Sequence, residues 1–331
     1  MLNIGIVGLG NMGRVHARHY KTIPNAKLSA LYDVKPERLP PFASEYGGAP
    51  TASFEELIER CDAVDICTPT PTHKDLAIRA LDAGKHVICE KPMCLTLEEC
   101  REVAAAAERS GRVFMPAHVL RFFPEFALAN RLVREGEVGT PAAIRTRRGG
   151  PFPKWSSGWF GDYSQSGGVL LDLVIHDFDW LRWTFGEVER VFAKALVHRN
   201  IPQCDYALAT LKFRSGAVAH VEGTWADPGG FRVWFEIAGD GGFIEYDSRD
   251  NPTFSMAKRS PDDTPFVPHR ESPLMPHDDP YRQELAHFVE CATTGKKPEI
   301  TAEDGMRAVE ISRAALESAR TGEPVSLGGG R

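Results

Sequence analysis

Short apolar runs alternate with stretches of helical apolar spacing along the first third of the chain. Asn3-Ile4-Gly5-Ile6-Val7 reads as a strand, and the helical pattern after it runs to Ile23, where Pro24 ends it. Residues 27–33 read as a second strand closing on an acid. Ser53-Phe54-Glu55-Glu56 predicts a capping box before a helix through residue 60. Residues 63–67 form a buried strand, and Thr72 is placed to cap a helix that runs to Ala83 with Gly84 behind it. A strand follows at 86–89. Thr96-Leu97-Glu98-Glu99 opens a helix ending near Ser110-Gly111, and 112–115 begins one more strand. Alternation of this kind builds a parallel, doubly wound sheet.

After Pro116 the pattern changes. A helix starts at Pro124 and ends near Glu135-Gly136, a strand covers 142–146, and a loop of glycine and proline leads to a helix opening at Ser166-Gly167-Gly168. On that helix Asp172 and His176 are four apart and share a face. Strands at 189–197, 206–213, 217–225, 232–238 and 243–246 are separated by the turn signals Arg214-Ser215-Gly216 and Gly239-Asp240-Gly241-Gly242. Residues 250–280 are proline-rich and read as a long loop, at an oligomer interface or forming a lid. Amphipathic helices at 281–293 and 302–319 close the chain. The expected architecture is α/β: a doubly wound parallel sheet in residues 1–119, then an α+β domain with a large, mostly antiparallel open sheet in 120–331. Phe213, Phe231, Trp234 and Phe235 do not fit on one face of that sheet, which points to an oligomer contact there.

The first strand ends in Gly8-Leu9-Gly10-Asn11-Met12-Gly13. Gly8 permits the tight turn, Gly10 removes the side chain that would block a pyrophosphate, and Gly13 lets the helix pack close to the strand. The helix N-terminus then offers unpaired N–H groups to phosphates. Asp33, at the end of the second strand, is placed to accept from the adenosine ribose hydroxyls. These features predict a Rossmann dinucleotide site in which Asn11 and Met12 complete the loop. The charge of Asp33 repels a 2′-phosphate and favours NAD, while Lys35 and the candidate contact Arg38 keep NADP open. Ligands of such sheets bind beyond the carboxyl ends of the strands, where Thr68-Pro69-Thr70 and Glu90-Lys91-Pro92 lie. Lys91 can hold a substrate oxygen there and stabilise alkoxide character. His73 is either a cofactor-side contact or a structural residue at a helix start.

Composition narrows the partners. The chain has 331 residues, 42% hydrophobic and 25% charged, with a formal net charge of −6. That balance argues against a nucleic-acid partner, and no apolar run reaches bilayer length. The seven cysteines (Cys61, Cys67, Cys89, Cys94, Cys100, Cys204 and Cys291) are odd in number and include no Cys-x-x-Cys pair. They read as reduced thiols of a cytoplasmic protein, with no metal site.

Taken together, Gly8-x-Gly10-x-x-Gly13, Glu90-Lys91-Pro92, and Gly167-Gly168 with Asp172 and His176 resemble the Gfo/Idh/MocA oxidoreductase family over nearly the whole chain. Ser166 stands where many members have a third glycine. Arg121-Phe122-Phe123-Pro124, Glu284-Leu285-x-x-Phe288 and Ala302-Glu303-Asp304-Gly305 also look like its landmarks. The resemblance implies a dehydrogenase of a cyclic polyol or sugar, such as an inositol, with Lys91, Asp172 and His176 as the catalytic set and a homodimer or homotetramer as the assembly. Arg121, Trp159 and Tyr281 are candidates for the substrate wall. Two alternatives stand beside this. One is an enzyme of nucleotide-linked or phosphorylated sugars, in which Arg145, Arg147 and Arg148 meet an anion. The other is a cofactor-binding regulator without catalysis.

Overall fold

The computed structural model describes residues 1–153, 159–196, 206–249, 254–256, 269–271 and 279–328. The first part of the chain runs β1 (Leu2–Val7), α1 (Asn11–Tyr20), β2 (Ala26–Tyr32), α2 (Leu39–Tyr46), β3 (Ala49–Pro50), α3 (Phe54–Glu59), β4 (Ala63–Ile66), α4 (His73–Asp82), β5 (His86–Glu90), α5 (Leu97–Ser110) and β6 (Phe114–Ala117). Its six strands are parallel, in the order β3-β2-β1-β4-β5-β6. This is the doubly wound order in which the strand sequence reverses beside β1, the point where such sheets take their ligand. The α5 capping box is complete: Thr96 Oγ1 accepts from Glu99 N–H and Glu99 returns to the Thr96 N–H. At α3 only Ser53 caps, and the Glu56 carboxylate accepts from the Ala52 N–H instead. Thr72 does not cap α4. Its hydroxyl turns back to the Pro69 carbonyl and the Thr68 hydroxyl.

The chain continues through α6 (Pro124–Arg134), β7 (Pro141–Gly149), α7 (Tyr163–Ser166), α8 (Val169–Asp172), α9 (Ile175–Phe185), β8 (Val188–Leu196), β9 (Tyr206–Phe213), β10 (Val218–Thr224), β11 (Arg232–Gly239) and β12 (Phe243–Asp247). A two-stranded ribbon, β13 (Phe254–Met256) with β14 (His269–Glu271), falls within the stretch expected to be irregular, most of which lies outside the described residues. The last elements are α10 (Pro280–Thr294), α11 (Ala302–Thr321) and β15 (Val325–Ser326). Seven strands form one sheet, β12-β11-β7-β10-β9-β8-β15, antiparallel except for the parallel pair β7–β10. Of the aromatic residues expected to disagree about faces, Phe213 and Phe235 are buried, whereas Phe231 is exposed and Trp234 bonds Glu245. The α/β expectation, a parallel sheet followed by a mostly antiparallel one, is what the chain adopts.

Two compact units divide the chain. The first holds Met1–Phe123, Ser164–Gly167 and Pro280–Arg313, and the second holds Pro124–Tyr163, Gly168–Asp279 and Ala314–Arg331. The first crossing falls at 123/124, beside the expected boundary at 119/120, and the chain crosses again after it. The chain returns to the first unit because α10 carries Leu285, Phe288 and Val289 into the same buried cluster as Ile4, Ile6 and Tyr20. Burying a large apolar side chain contributes on the order of 2 kcal/mol, so these three residues bind α10 firmly to that unit.

Candidate active site

In the first unit the glycine loop has the geometry its sequence demands. Gly8 sits at φ 93°, and a Cβ there would meet the Cys67 carbonyl oxygen at 2.6 Å. A Cβ on Gly13 would lie 2.2 Å from the Gly8 carbonyl oxygen, so only glycine lets α1 start this close to β1. At Gly10 a Cβ would meet nothing within 4 Å, which leaves open space above the loop for a phosphate group. Asn11 and Met12 form the first turn of α1, which has no acidic residue and no side-chain cap. The Asp33 carboxylate reaches the loop: Oδ2 accepts from the Leu9 N–H at 2.8 Å and from Arg38 Nη1 at 3.2 Å, and Oδ1 accepts from the Lys35 N–H at 2.8 Å. Asp33 thus shapes the loop, and Arg38 stands beside it. These residues fit a dinucleotide: the space is over the loop and the acid is at the strand end.

Thr68, Pro69 and Thr70 follow β4 on the sheet's carboxyl rim, and Glu90, Lys91 and Pro92 follow β5. His73 joins the two segments. Its Nδ1 lies 2.9 Å from the Pro92 carbonyl oxygen and its Nε2 2.8 Å from that of Thr68. Burial lowers its pKa, opposed by those two carbonyls and by Glu90; a neutral ring donates to only one of them at a time. In the structure His73 is a clasp between the rim loops. The Lys91–Pro92 peptide is cis, and the Lys91 N–H donates to Glu90 Oε2 at 3.1 Å.

Behind this rim lies a cluster that composition and motif did not single out. His16, on the inward face of α1, places Nδ1 2.9 Å from Asp65 Oδ2 and Nε2 3.3 Å from Glu90 Oε1. Tyr20 Oη donates to Asp65 Oδ2 at 2.9 Å, and Cys67 Sγ donates to Asp65 Oδ1 at 3.2 Å. Donor atoms of His16, Asp65 and Cys67 lie within 4.8 Å of one another, a spacing a cation would need, but here the donors are bonded to each other. Burial raises the Cys67 thiol far above its ordinary value, so it serves as a neutral donor. One sign was present in the sequence: Asp65 interrupts an otherwise apolar buried strand, and a buried acid needs partners.

In the second unit the expected single helix is two. Gly167 and Gly168, at φ 68° and 70°, turn the chain into α8. The Leu173 N–H and the Val174 N–H both bond the Val169 carbonyl, at 3.2 and 3.0 Å. The second bond closes an i→i+5 wide turn before α9 begins. Asp172, nearly fully buried, ends α8, and His176, half-buried, lies in the first turn of α9. The i,i+4 face argument therefore does not describe them; they flank a wide turn instead. Gly223 on β10 makes room for that turn, since a Cβ there would lie 2.3 Å from Val174 Cγ1.

The remaining candidates have varied surroundings. Arg121 is buried in the first unit, where Nη1 donates to the Glu299 carbonyl at 3.0 Å and Nη2 lies 3.3 Å from Asp304 Oδ1. It braces the start of α11. Tyr281, at the start of α10, packs edge-on against Phe123 in the first unit. Trp159 stacks on Phe160 in the second, with centroids 4.1 Å apart. The three arginines offered for an anionic substrate each meet an acid within the second unit. Arg145 pairs with Glu236, Arg147 with Glu222 and Asp227, and buried Arg148 with Asp177.

Comparison with known proteins shows the family. Residues 2–118 match the model of the oxidoreductase family with an NAD-binding Rossmann fold, and residues 126–245 match the GFO/IDH/MocA C-terminal domain. The chain belongs to the Gfo/Idh/MocA oxidoreductase family, and its first domain is an NAD-binding Rossmann domain. It is 32% identical to myo-inositol 2-dehydrogenase of Thermotoga maritima over 98% of both chains. It is 33% identical to scyllo-inositol 2-dehydrogenase (NAD(+)) of Bacillus subtilis, over 97% of this chain and 95% of that one. Its fold matches GenD2 from gentamicin A biosynthesis, solved in complex with NAD, with a TM-score of 0.90 at 25% identity over 98% of this chain and 96% of that one. The protein is thus a dehydrogenase acting on CH–OH groups of a small molecule. No helix among the described residues is long and apolar enough to cross a membrane.

Proposed function

We propose that this protein oxidises a secondary hydroxyl of a cyclic polyol of the inositol class, passing hydride to NAD, and reduces the corresponding ketone in reverse. The observation that supports it most is the match to two inositol dehydrogenases over nearly the full length, in a chain that carries Lys91, Asp172 and His176. NAD, when bound, supplies the hydride acceptor. A secondary alcohol gives up hydride readily only as its proton leaves. In this reading His176 accepts that proton, since an imidazole titrates near neutrality. Lys91 donates a hydrogen bond to the same oxygen and stabilises the developing negative charge. Asp172 binds a neighbouring hydroxyl or orients the imidazole. Gly8, Gly10 and Gly13 shape the pyrophosphate site, and Asp33 accepts from the adenosine ribose.

The reading with a phosphorylated or nucleotide-linked sugar has less support, because each arginine it invoked is already matched by a carboxylate. The test is a panel of inositols, aldoses and a sugar phosphate with NAD or NADP, following reduced nicotinamide by absorbance. Turnover of inositols, faster with NAD, is the expected result. Turnover confined to the sugar phosphate would move the protein to the other class. Lys91→Ala and His176→Ala each keep NAD binding and lose turnover if the assigned roles hold.

A further inference from the structure

We propose that His16 is a positioning residue for Lys91, acting through Glu90 as the centre of a buried relay from Asp65 to Glu90. The inference rests on the role of Lys91 given above. Its physical origin is the close start of α1, which Gly13 permits. Gly13, His16, Ala17 and Tyr20 are the buried residues of that helix. His16 reaches β4 and the end of β5 from there. Its two ring nitrogens face two different carboxylates: Nδ1 is hydrogen-bonded to Asp65 at 2.9 Å, and Nε2 stands 3.3 Å from Glu90 Oε1 at ion-pair distance, with no hydrogen bond formed. An imidazole set between two carboxylates is most favourable when both nitrogens carry protons. Burial alone pulls the pKa of His16 down; the charge of the Asp65 carboxylate and its hydrogen bond to the ring push it up, leaving it well above the ordinary value. Tyr20, Asp65, Cys67 and Glu90 are the titratable groups that face the ring or its acid partner.

The relay has a defined exit. Glu90 turns Oε1 to the imidazolium and Oε2 to the Lys91 N–H, 3.1 Å away. One residue beyond Lys91, the Pro92 carbonyl is held by His73. The backbone is thereby held on both sides of the Lys91 side chain. A buried carboxylate–imidazolium–carboxylate set contributes little stability beyond what packed apolar groups would give. What it supplies here is a single position for the Glu90 carboxylate. Without the imidazolium, that carboxylate loses the charge that faces it and turns away, and the Lys91 peptide loses its fixed acceptor.

The test uses the full chain with NAD and an inositol that it turns over. The variants are His16→Gln, Glu90→Gln, the pair combined, and Lys91→Ala. Measured are kcat and KM, NAD affinity from tryptophan fluorescence, and the thermal midpoint. The relay predicts that each single variant loses about 10- to 100-fold in kcat, as sub-ångström to ångström misplacement does. NAD affinity stays near the parent's, and the double variant is no slower than the slower single one. Effects that multiply in the double variant, or a parent-like kcat in His16→Gln, overturn it. Parent-like turnover in Lys91→Ala removes both this inference and the reading it rests on. A dead Lys91→Ala beside an unaffected His16→Gln removes the relay alone. Where the variants fold poorly, nitrogen NMR of the parent's histidine rings decides: His16 doubly protonated at neutral pH is expected, and a neutral His16 ring contradicts the relay.

Discussion

Arg148 and Asp177 form a buried ion pair one residue from His176, with Nε 2.6 Å from Oδ2 and Nη2 3.4 Å from Oδ1. Arg148 lies on the face of β7 that turns into the second unit, along with Ile144 and Thr146, whereas Arg145 and Arg147 lie on the other. The pair ties the first turn of α9 to the central sheet. Removing one partner strands the other charge in the interior, which costs about 3–5 kcal/mol. Arg148→Met should therefore lower the urea midpoint sharply, and Arg148→Met with Asp177→Leu should recover most of the loss. A single variant as stable as the parent would mean that the pair does not anchor α9.

Gly10 and Gly13 should separate binding from folding. A methyl at Gly10 meets no atom of the protein, so Gly10→Ala should leave the thermal midpoint unchanged and weaken NAD by obstructing the pyrophosphate. A methyl at Gly13 strikes the Gly8 carbonyl, so Gly13→Ala should destabilise by about 1–3 kcal/mol as α1 is pushed off the sheet. Calorimetry with a fluorescence titration of NAD reads both. Equal behaviour of the two variants would contradict the account of the loop.

Asp33→Ser should reduce NAD affinity by about 10- to 100-fold, the loss of hydrogen bonds to a charged acceptor. Two causes combine: a lost ribose acceptor and a Leu9 N–H left without its partner. The same change frees Arg38 from its ion pair, and the ratio of NADP to NAD affinity should rise. A ratio that stays fixed would show that Asp33 supports the loop but does not select the cofactor.

Much of this was legible in the chain. Strands β8 to β12 appear within about a residue of the apolar runs that announced them, because alternating burial leaves a period-2 signature, whereas β7 runs three residues past the expected 142–146. The glycine loop was legible because each glycine answers a separate steric demand. What stayed hidden depends on contacts between distant segments. Two-residue β3 and β15 carry no periodicity. The wide turn at Leu173-Val174 preserves a helical apolar pattern, so nothing local marks it. Arg121 reads as a surface cation until Glu299 and Asp304 arrive from far along the sequence. Asp65 did signal a buried acid, but its partners His16 and Tyr20 lie more than forty residues away.

The raised pKa of His16 also sets a pH dependence. Its folded value lies well above the ordinary 6.5 of the unfolded chain. The stability it contributes is therefore full below 6.5 and is lost as pH rises through the folded value. The unfolding free energy of the parent minus that of His16→Gln should shrink as pH is raised above 6.5, by up to about 1.4 kcal/mol per unit. A difference that grows with pH would reverse the sign and contradict a charged His16.

The central claim is hydride transfer from a polyol carbon, and isotope transfer tests it most directly. Inositol deuterated at its ring carbons would be mixed with the protein and NAD, and the reduced cofactor collected for mass spectrometry. The account predicts one deuterium on the nicotinamide ring, a slowed rate relative to unlabelled inositol, and neither result with His176→Ala. Reduced cofactor without deuterium, or bound NAD that is never reduced by any inositol, would contradict it.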